Sequence, residues 1–314
     1  MHPTDPLPID AVIPALKSAL EVNTRAVLVA PPGAGKTTRV PLALLDAQWR
    51  GDGRIVMLEP RRLAARAAAR RMAQTLGEQV GETVGYRVRL DTKISAKTRI
   101  EVVTEGVFTR MVLDDPELTG IAAVLFDEFH ERSLDGDLGL ALTLDATALR
   151  EDLRILVMSA TLDGAAVAGL LGDAPVIESE GRAFPVHTHH IIPDASMRIE
   201  QNVVAATRRA LAEETGSILV FLPGQAEIRR TAEALAAIVG PDTDIAPLYG
   251  QLTPAEQDRA IQPAPPGRRK IVLATAIAQT SLTIEGVRIV IDSGLSRLPV
   301  YEPNTGLTRL ETRR

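Results

Sequence analysis

The stretch Ala30-Pro31-Pro32-Gly33-Ala34-Gly35-Lys36-Thr37-Thr38 decides how the rest of the chain is read. It fits the phosphate-loop pattern G-x-x-x-x-G-K-[ST], with Ala30 in place of the first glycine. The residues before it, RAVLVA over 25–30, read as a short buried strand. From Gly35 a helix follows, with Val40, Leu44 and Leu45 on one side. A loop that wraps a phosphate turns its backbone N–H groups inward, and Gly33 and Gly35 allow the angles this requires. Lys36 adds a point charge for the outer phosphates, and the Thr37 hydroxyl is placed to ligate magnesium. The helix N-terminus favours an anion. A Gly/Pro turn before an ordinary helix is the bland alternative, and the strand–loop–helix order argues against it. The chain is expected to bind a nucleoside triphosphate with Mg2+, cradled by Gly33, Ala34, Gly35, Lys36, Thr37 and Thr38.

A length of 314 residues suggests two domains, and 45% apolar with 24% charged residues is the composition of an ordinary globular protein. No apolar run approaches a membrane span, and MHPTDPLPID lacks the basic start and apolar run of an export signal. There is no cysteine, which excludes disulfides and thiolate metal sites. A cytoplasmic location is the expectation. The net charge of −5 argues against a globally basic nucleic-acid binder. The acidic excess lies in the first 180 residues, so any polynucleotide must use local patches. Five Phe, three Tyr and one Trp leave little for a base-stacking platform.

Downstream, RIVMLE (54–59) reads as a strand closed by Pro60, followed by a helix from Arg61 to about Thr75. Arg62, Arg66 and Arg70 recur every four residues, which predicts a basic stripe on one helical face. Such a stripe is usually a solvated face. Arg61 and Arg62 sit at the first turn, where the helix dipole disfavours cations, and that conflict favours phosphate contact. VGYRVRL (84–90) and RIEVV (99–103) read as strands with a polar turn over 91–98. Thr104-Glu105-Gly106 then opens a short helix over 107–113.

IAAVLF (121–126) is a continuous apolar run, the mark of a central parallel strand buried on both faces. It ends in Asp127-Glu128-Phe129-His130, where open α/β sheets bind ligands. Asp127 is expected to hold the magnesium water shell, and Glu128 to orient and polarise the attacking water. A helix is expected over 133–150, then a strand over 154–158 running into Ser159-Ala160-Thr161. This alternation predicts a parallel sheet covered on both faces as domain 1, residues 1–180.

A second alternation fills residues 181–314, after the linker-like Gly181-Arg182-Ala183-Phe184-Pro185. Its expected strands cover about 186–192, 217–222, 244–248, 269–274 and 287–292, with helices over 197–214, 224–239 and 254–262. In the first of these strands, alternation would put His187 and His189 on one face and His190 on the other. No carboxylate lies close by, so a metal role for them is disfavoured.

The series APPGAGKTT, EPRRLAA, VGYRVR, TEG, DEFHERS, SAT, LVFLPG, ATAIAQTSLTI and VIDSG occurs in an order that resembles the DEAH-box RNA helicases. It looks most like their bacterial HrpB-type branch, with DEFH where most of the family has DEAH. The resemblance runs from about residue 8 to the last. It implies an α/β protein of two RecA-like domains with ATP between them and a nucleic-acid strand across both. It implies an ATP-driven motor moving 3′-to-5′ on single-stranded RNA or DNA, working as a monomer. His130 is expected to link the nucleotide site to the second domain, and Ser159 and Thr161 to couple hydrolysis to strand movement. Arg61, Arg62, Thr104, Glu105 and Gly106 match motifs that hold the RNA backbone from the first domain. Gly224, Thr275, Thr280 and Ser281 match those of the second. Asp292 matches a residue that reaches the ribose. Arg71 matches an arginine beside adenine, while Ile261 falls where the family has an aromatic ring, which implies weak base selectivity. Ala276 and Gln279 depart from the usual Asn and Glu of their motif.

The family's QRxGRxGR motif, whose arginines stabilise the transferring phosphoryl group, does not occur in the sequence. The expectation is therefore a fragment lacking that motif and the accessory domains, able to bind nucleotide and slow to hydrolyse it. A nucleotide-gated RNA clamp is the competing expectation. Leu298–Tyr301 and Leu307–Leu310, joined by Glu302–Gly306, read as a hairpin, and the resemblance implies one of the kind that separates strands in the family.

Overall fold

The computed structural model describes residues 6–161, 164–181, 185–279 and 284–313. The chain divides into two compact units, Met1–Pro185 and Val186–Arg314.

In the first unit, helix α1 (Ile13–Val22) leads into β1 (Arg25–Val29), and the phosphate loop leads into α2 (Lys36–Ala43). Strand β2 (Arg54–Glu59) is followed by α3 (Arg62–Leu76), then β3 (Val84–Val88), β4 (Asp91–Lys93) and β5 (Ile100–Thr104). Next come α4 (Glu105–Asp114), β6 (Ile121–Phe126), α5 (Leu134–Ala146), β7 (Arg154–Ser159), α6 (Gly164–Leu170) and β8 (Val176–Glu178). The strands form one sheet in the order β4-β3-β5-β2-β6-β7-β1-β8. All neighbours are parallel except the edge pair β3–β4. Every residue of β6 is buried, as its unbroken apolar run requires in a sheet covered on both faces.

Alternation splits the core into two layers. Ile55, Met57, Ala123 and Leu125 pack under α1, α2 and α3 with Leu16, Val40 and Met72. Val56, Leu58, Val124 and Phe126 face the other side with Phe108 and Leu140. The Phe126 ring meets Phe108 and Phe129 edge-on, with centroids 5.9 and 6.2 Å away. Helix α3 lies close on the sheet because its inner face is alanine, at positions 64, 65, 68, 69 and 73.

The arginine stripe is the main correction in this unit. Arg62 is exposed, but Arg66 is only 6% exposed and its Nη1 lies 3.7 Å from the Asp91 carboxylate. The Tyr86 hydroxyl donates to that same carboxylate at 3.0 Å. Asp91 belongs to β4, in a segment read from sequence as a turn. The acid that turns Arg66 inward thus comes from a strand that sequence pattern did not announce.

The second unit contains α7 (Ile199–Glu213), β9 (Ser217–Phe221), α8 (Gln225–Ala236), β10 (Thr243–Leu248), α9 (Pro254–Ile261), β11 (Arg269–Ala274) and β12 (Val287–Asp292). Its sheet is parallel, in the order β10-β11-β9-β12. Strands β13 (Ser296–Glu302) and β14 (Leu307–Arg313) form a separate antiparallel hairpin, β13 longer than expected at both ends and β14 at its C-terminal end. Helix α9 starts on a reciprocal cap between Thr253 and Glu256. The strand expected over 186–192 does not form. Residues 186–192 are exposed and outside any ladder, so the alternation of His187, His189 and His190 has no sheet face to define. The central linker residues 182–184 and the motif residues Thr280 and Ser281 lie outside the described residues.

Candidate active site

Four adjacent parallel strands, β2, β6, β7 and β1, end on one edge of the first sheet and deliver the site. Beyond β1 the phosphate loop turns through Gly33 at φ +78° and Gly35 at φ +97°, a region open to glycine at little cost. Gly35 is also constrained by space: a Cβ there would meet Leu7 Cδ1 at 2.6 Å. The segment before α1 therefore packs against the loop, and Ile9 N donates to Ala34 O at 3.1 Å. Across the sheet, Ala30 N donates to Ser159 O at 2.9 Å, tying the loop to the end of β7.

Lys36 is 3% exposed, and its ammonium donates to Glu128 Oε1 at 2.8 Å. The Thr37 hydroxyl donates to Asp127 Oδ2 at 2.5 Å, and Glu128 N donates to Asp127 Oδ1 at 2.8 Å. Glu128 holds a left-handed backbone, φ +50°, which a non-glycine residue adopts at some cost. That turn lets its N–H reach back to Asp127 while its carboxylate reaches Lys36. The loop and the paired carboxylates, 90 residues apart in sequence, thus form one buried constellation.

Burial alone would lower the Lys36 pKa, but the Asp127 and Glu128 carboxylates outweigh it and hold the ammonium above the usual lysine value. Burial, with Glu128 beside it, raises Asp127 against the opposing pull of Lys36 and Thr37. Glu59, at the end of β2, is fully buried. Burial first, then Asp127 and Glu128, push its pKa well above the usual carboxylate value. Sequence reasoning missed Glu59, although RIVMLE ends in an acid just as IAAVLF runs into Asp127.

His130 extends the constellation. Ala160 N donates to its Nδ1 at 3.2 Å, which leaves the ring proton of neutral imidazole on Nε2, 3.4 Å from Glu128 Oε2. The ring therefore connects Glu128 to the Ser159–Thr161 segment within the first unit. Ser159 Oγ accepts from Thr161 N at 3.3 Å.

The residues of this unit expected to hold a nucleic-acid backbone cluster on the same sheet edge, since β2 and β5 are neighbours and lead into Arg61–Arg62 and Thr104–Gly106. Arg61 lies 3.5 Å from Glu131, while Arg62 and Gly106 are exposed. Glu105 accepts from the Ser133 hydroxyl at 2.6 Å, and Ser133 caps α5 through Gly136 N. The Glu105 carboxylate, its pKa raised by burial against that hydrogen bond, thus orders the start of α5. Arg71 is exposed on α3.

In the second unit Gly224 caps α8, and a Cβ there would meet Arg297 Nη1 at 2.7 Å. Thr275 follows β11 and is half-buried, and Ile261 is half-buried at the end of α9. Asp292 ends β12, exposed, and accepts from Gly294 N at 2.8 Å.

Among the described residues, no group of three or more acidic or histidine side chains is arranged to hold a metal ion by itself. The donors present still fit Mg2+. Thr37 and Asp127 offer hard oxygens, and such ions take few protein ligands, keeping water and phosphate oxygens. When bound with a triphosphate, the ion neutralises charge on the phosphates.

A phosphate loop feeding α2, bonded to paired carboxylates at the end of a parallel strand of the same sheet, defines a phosphate-loop nucleotide-binding protein. The family described as "DEAD/DEAH box helicase" matches residues 10–169, and "Helicase conserved C-terminal domain" matches residues 201–308. The chain belongs to the DEAD/DEAH box helicase family, with two RecA-like helicase domains. It is 52% identical over 309 residues to the ATP-dependent RNA helicase HrpB of Escherichia coli strain K12, across 98% of this chain and 38% of that protein. A crystal structure of the E. coli DEAH/RHA helicase HrpB matches 98% of this chain and 39% of its own at a TM-score of 0.90 and 52% identity. One of the E. coli DExH-box NTPase HrpB matches 99% and 38%, at a TM-score of 0.80 and 51% identity. The chain thus spans well under half the length of these relatives.

Proposed function

We propose that this chain is the motor portion of an ATP-dependent RNA helicase that hydrolyses ATP with Mg2+ and moves 3′-to-5′ on a single strand. The observation that carries the reading is the pair of bonds from the phosphate loop, Lys36 to Glu128 and Thr37 to Asp127. Lys36 binds the outer phosphates, exchanging one carboxylate oxygen for a phosphoryl oxygen. Glu128, held by Lys36 on one oxygen and near His130 Nε2 on the other, orients the attacking water and takes its proton. Thr37 and Asp127 hold the cation and its water shell. Arg61, Arg62 and Thr104, on the same edge, grip the sugar–phosphate backbone, which makes contact insensitive to base sequence. The 52% identity to a protein named an ATP-dependent RNA helicase supports RNA as the strand.

The test is phosphate release from ATP with and without a single-stranded RNA oligonucleotide. Release that rises with RNA and disappears in Glu128→Gln supports a motor. Nucleotide and RNA binding without turnover would make the chain a nucleotide-gated clamp instead.

A further inference from the structure

Glu59 has no role in the chemistry derived above, yet no part of its side chain is open to solvent. Both carboxylate oxygens are buried, and neither meets a protein hydrogen-bond donor. Lys36 is bonded to Glu128 instead. Alternation along β2 puts Glu59 on the face of Ile55 and Met57, under α2. Alternation along β6 puts Asp127 on the same face as Ala123 and Leu125. The two strands are neighbours, and Asp127 N donates to Leu58 O at 3.1 Å. The Glu59 carboxyl therefore stands beside that of Asp127, aimed at the side of the sheet where Lys36 and Thr37 begin α2.

Three carboxylates and one ammonium share this buried region, a formal charge of −2 if all are ionised. A carboxylate without donors or a counter-charge is costly in a dry interior. A partner that brings hydrogen-bond donors and positive charge together would hold Glu59 as a carboxylate. Hydrated Mg2+ does both, since it keeps several of its waters when a protein binds it.

We propose that Glu59 is a positioning residue for the nucleotide-bound divalent cation, accepting hydrogen bonds from the ion's water molecules beside Asp127. It rests on the reading of the phosphate loop as an ATP–Mg2+ site. Glu59 is not a direct ligand. No three acids here are arranged to hold an ion by themselves among the described residues, so the cation arrives with the phosphates. Outer partners of this kind orient the shell that the direct ligands hold.

The test uses a fluorescent ADP analogue, titrated into the purified wild-type chain and Glu59→Gln over a series of Mg2+ concentrations and in EDTA. Glutamine keeps the side chain's size and one acceptor while removing the charge. The proposal expects the Mg2+ concentration for half-maximal binding to rise about tenfold in Glu59→Gln. Affinity in EDTA stays level, because without the cation there is no water shell for Glu59 to orient. An unchanged Mg2+ midpoint would overturn the proposal and leave Glu59 a neutral structural acid. Equal weakening with and without Mg2+ would overturn it too, placing the effect in loop packing. Thermal melting checks that the variant folds. Should it not, Glu59→Asp keeps the charge on a shorter stem, and an unshifted midpoint there counts against the proposal. If the wild-type chain bound no nucleotide at all, the reading of the site would fall first and this one with it.

Discussion

Strands β6 and β12 end alike in sequence, an apolar run followed by an aspartate, VLFD in one unit and RIVID in the other. Their surroundings differ. β6 lies between β2 and β7 with all six residues buried, and Asp127 at its end is 4% exposed and bonded to Thr37. β12 ends the sheet order among the described strands, alternates between partly buried and exposed residues, and leaves Val290 60% exposed. Asp292 accepts from its own turn at Gly294. An acid at the end of a strand becomes chemical machinery when neighbouring strands exclude water and a lysine and hydroxyl come within reach. At the exposed end of β12, an aspartate is held in its own turn instead.

Substituting the two strand ends in parallel should break or sharpen that contrast. Glu128→Gln is expected to lower RNA-stimulated phosphate release at least about 100-fold while leaving nucleotide affinity within a few-fold. Asp292→Asn should change the rate by less than about threefold, because an exposed hydrogen bond contributes little. Steady-state phosphate release checks both, and equal losses would erase the distinction. Arginines of α3 offer a second contrast between buried and exposed charge. Arg66→Met should destabilise the fold by about 1–3 kcal/mol, read from denaturant unfolding, since Asp91 loses its charged partner and keeps only the Tyr86 hydroxyl. Arg62→Ala should leave stability unchanged, weaken single-strand RNA binding, and reduce the salt slope by about one.

The smallest expected effect is a pH dependence. Folding raises the Glu59 pKa well above its unfolded value, so the folded state holds a proton there that the unfolded chain releases. Stability from this group is complete below the unfolded value and is lost as pH rises through the folded one. In cation-free buffer, Glu59→Gln should flatten that part of the stability–pH curve relative to wild type. A curve parallel to wild type over the same range would show that Glu59 does not titrate as its burial requires.

Much of this was legible in the sequence. β1, β2, β6, β7 and the strands β9 to β12 were each marked by a short apolar run, and the phosphate loop by its glycines. The carboxylate pair after β6 was legible because a fully apolar strand has to end at the ligand-binding edge of a parallel sheet. Other features depend on contacts that no local pattern encodes. Arg66 looked like the middle of a basic stripe because helical spacing says nothing of Asp91 on an edge strand three residues long. Residues 186–192 contain Val186, Ile191 and Ile192 yet lie outside any ladder, and a strand without a ladder does not form. Glu59 passed unnoticed because its significance lies in the adjacency of β2 to β6, a property of topology.

Lys36, buried against Glu128, is proposed as the group that receives the phosphates of a nucleotide. Equilibrium titration of a fluorescent ATP analogue in Mg2+, wild type beside a folded Lys36→Ala variant, tests it most directly. The account predicts that affinity falls at least about 30-fold, as for the loss of a charge-assisted contact in a dry site. Equal affinity in the two proteins would contradict it.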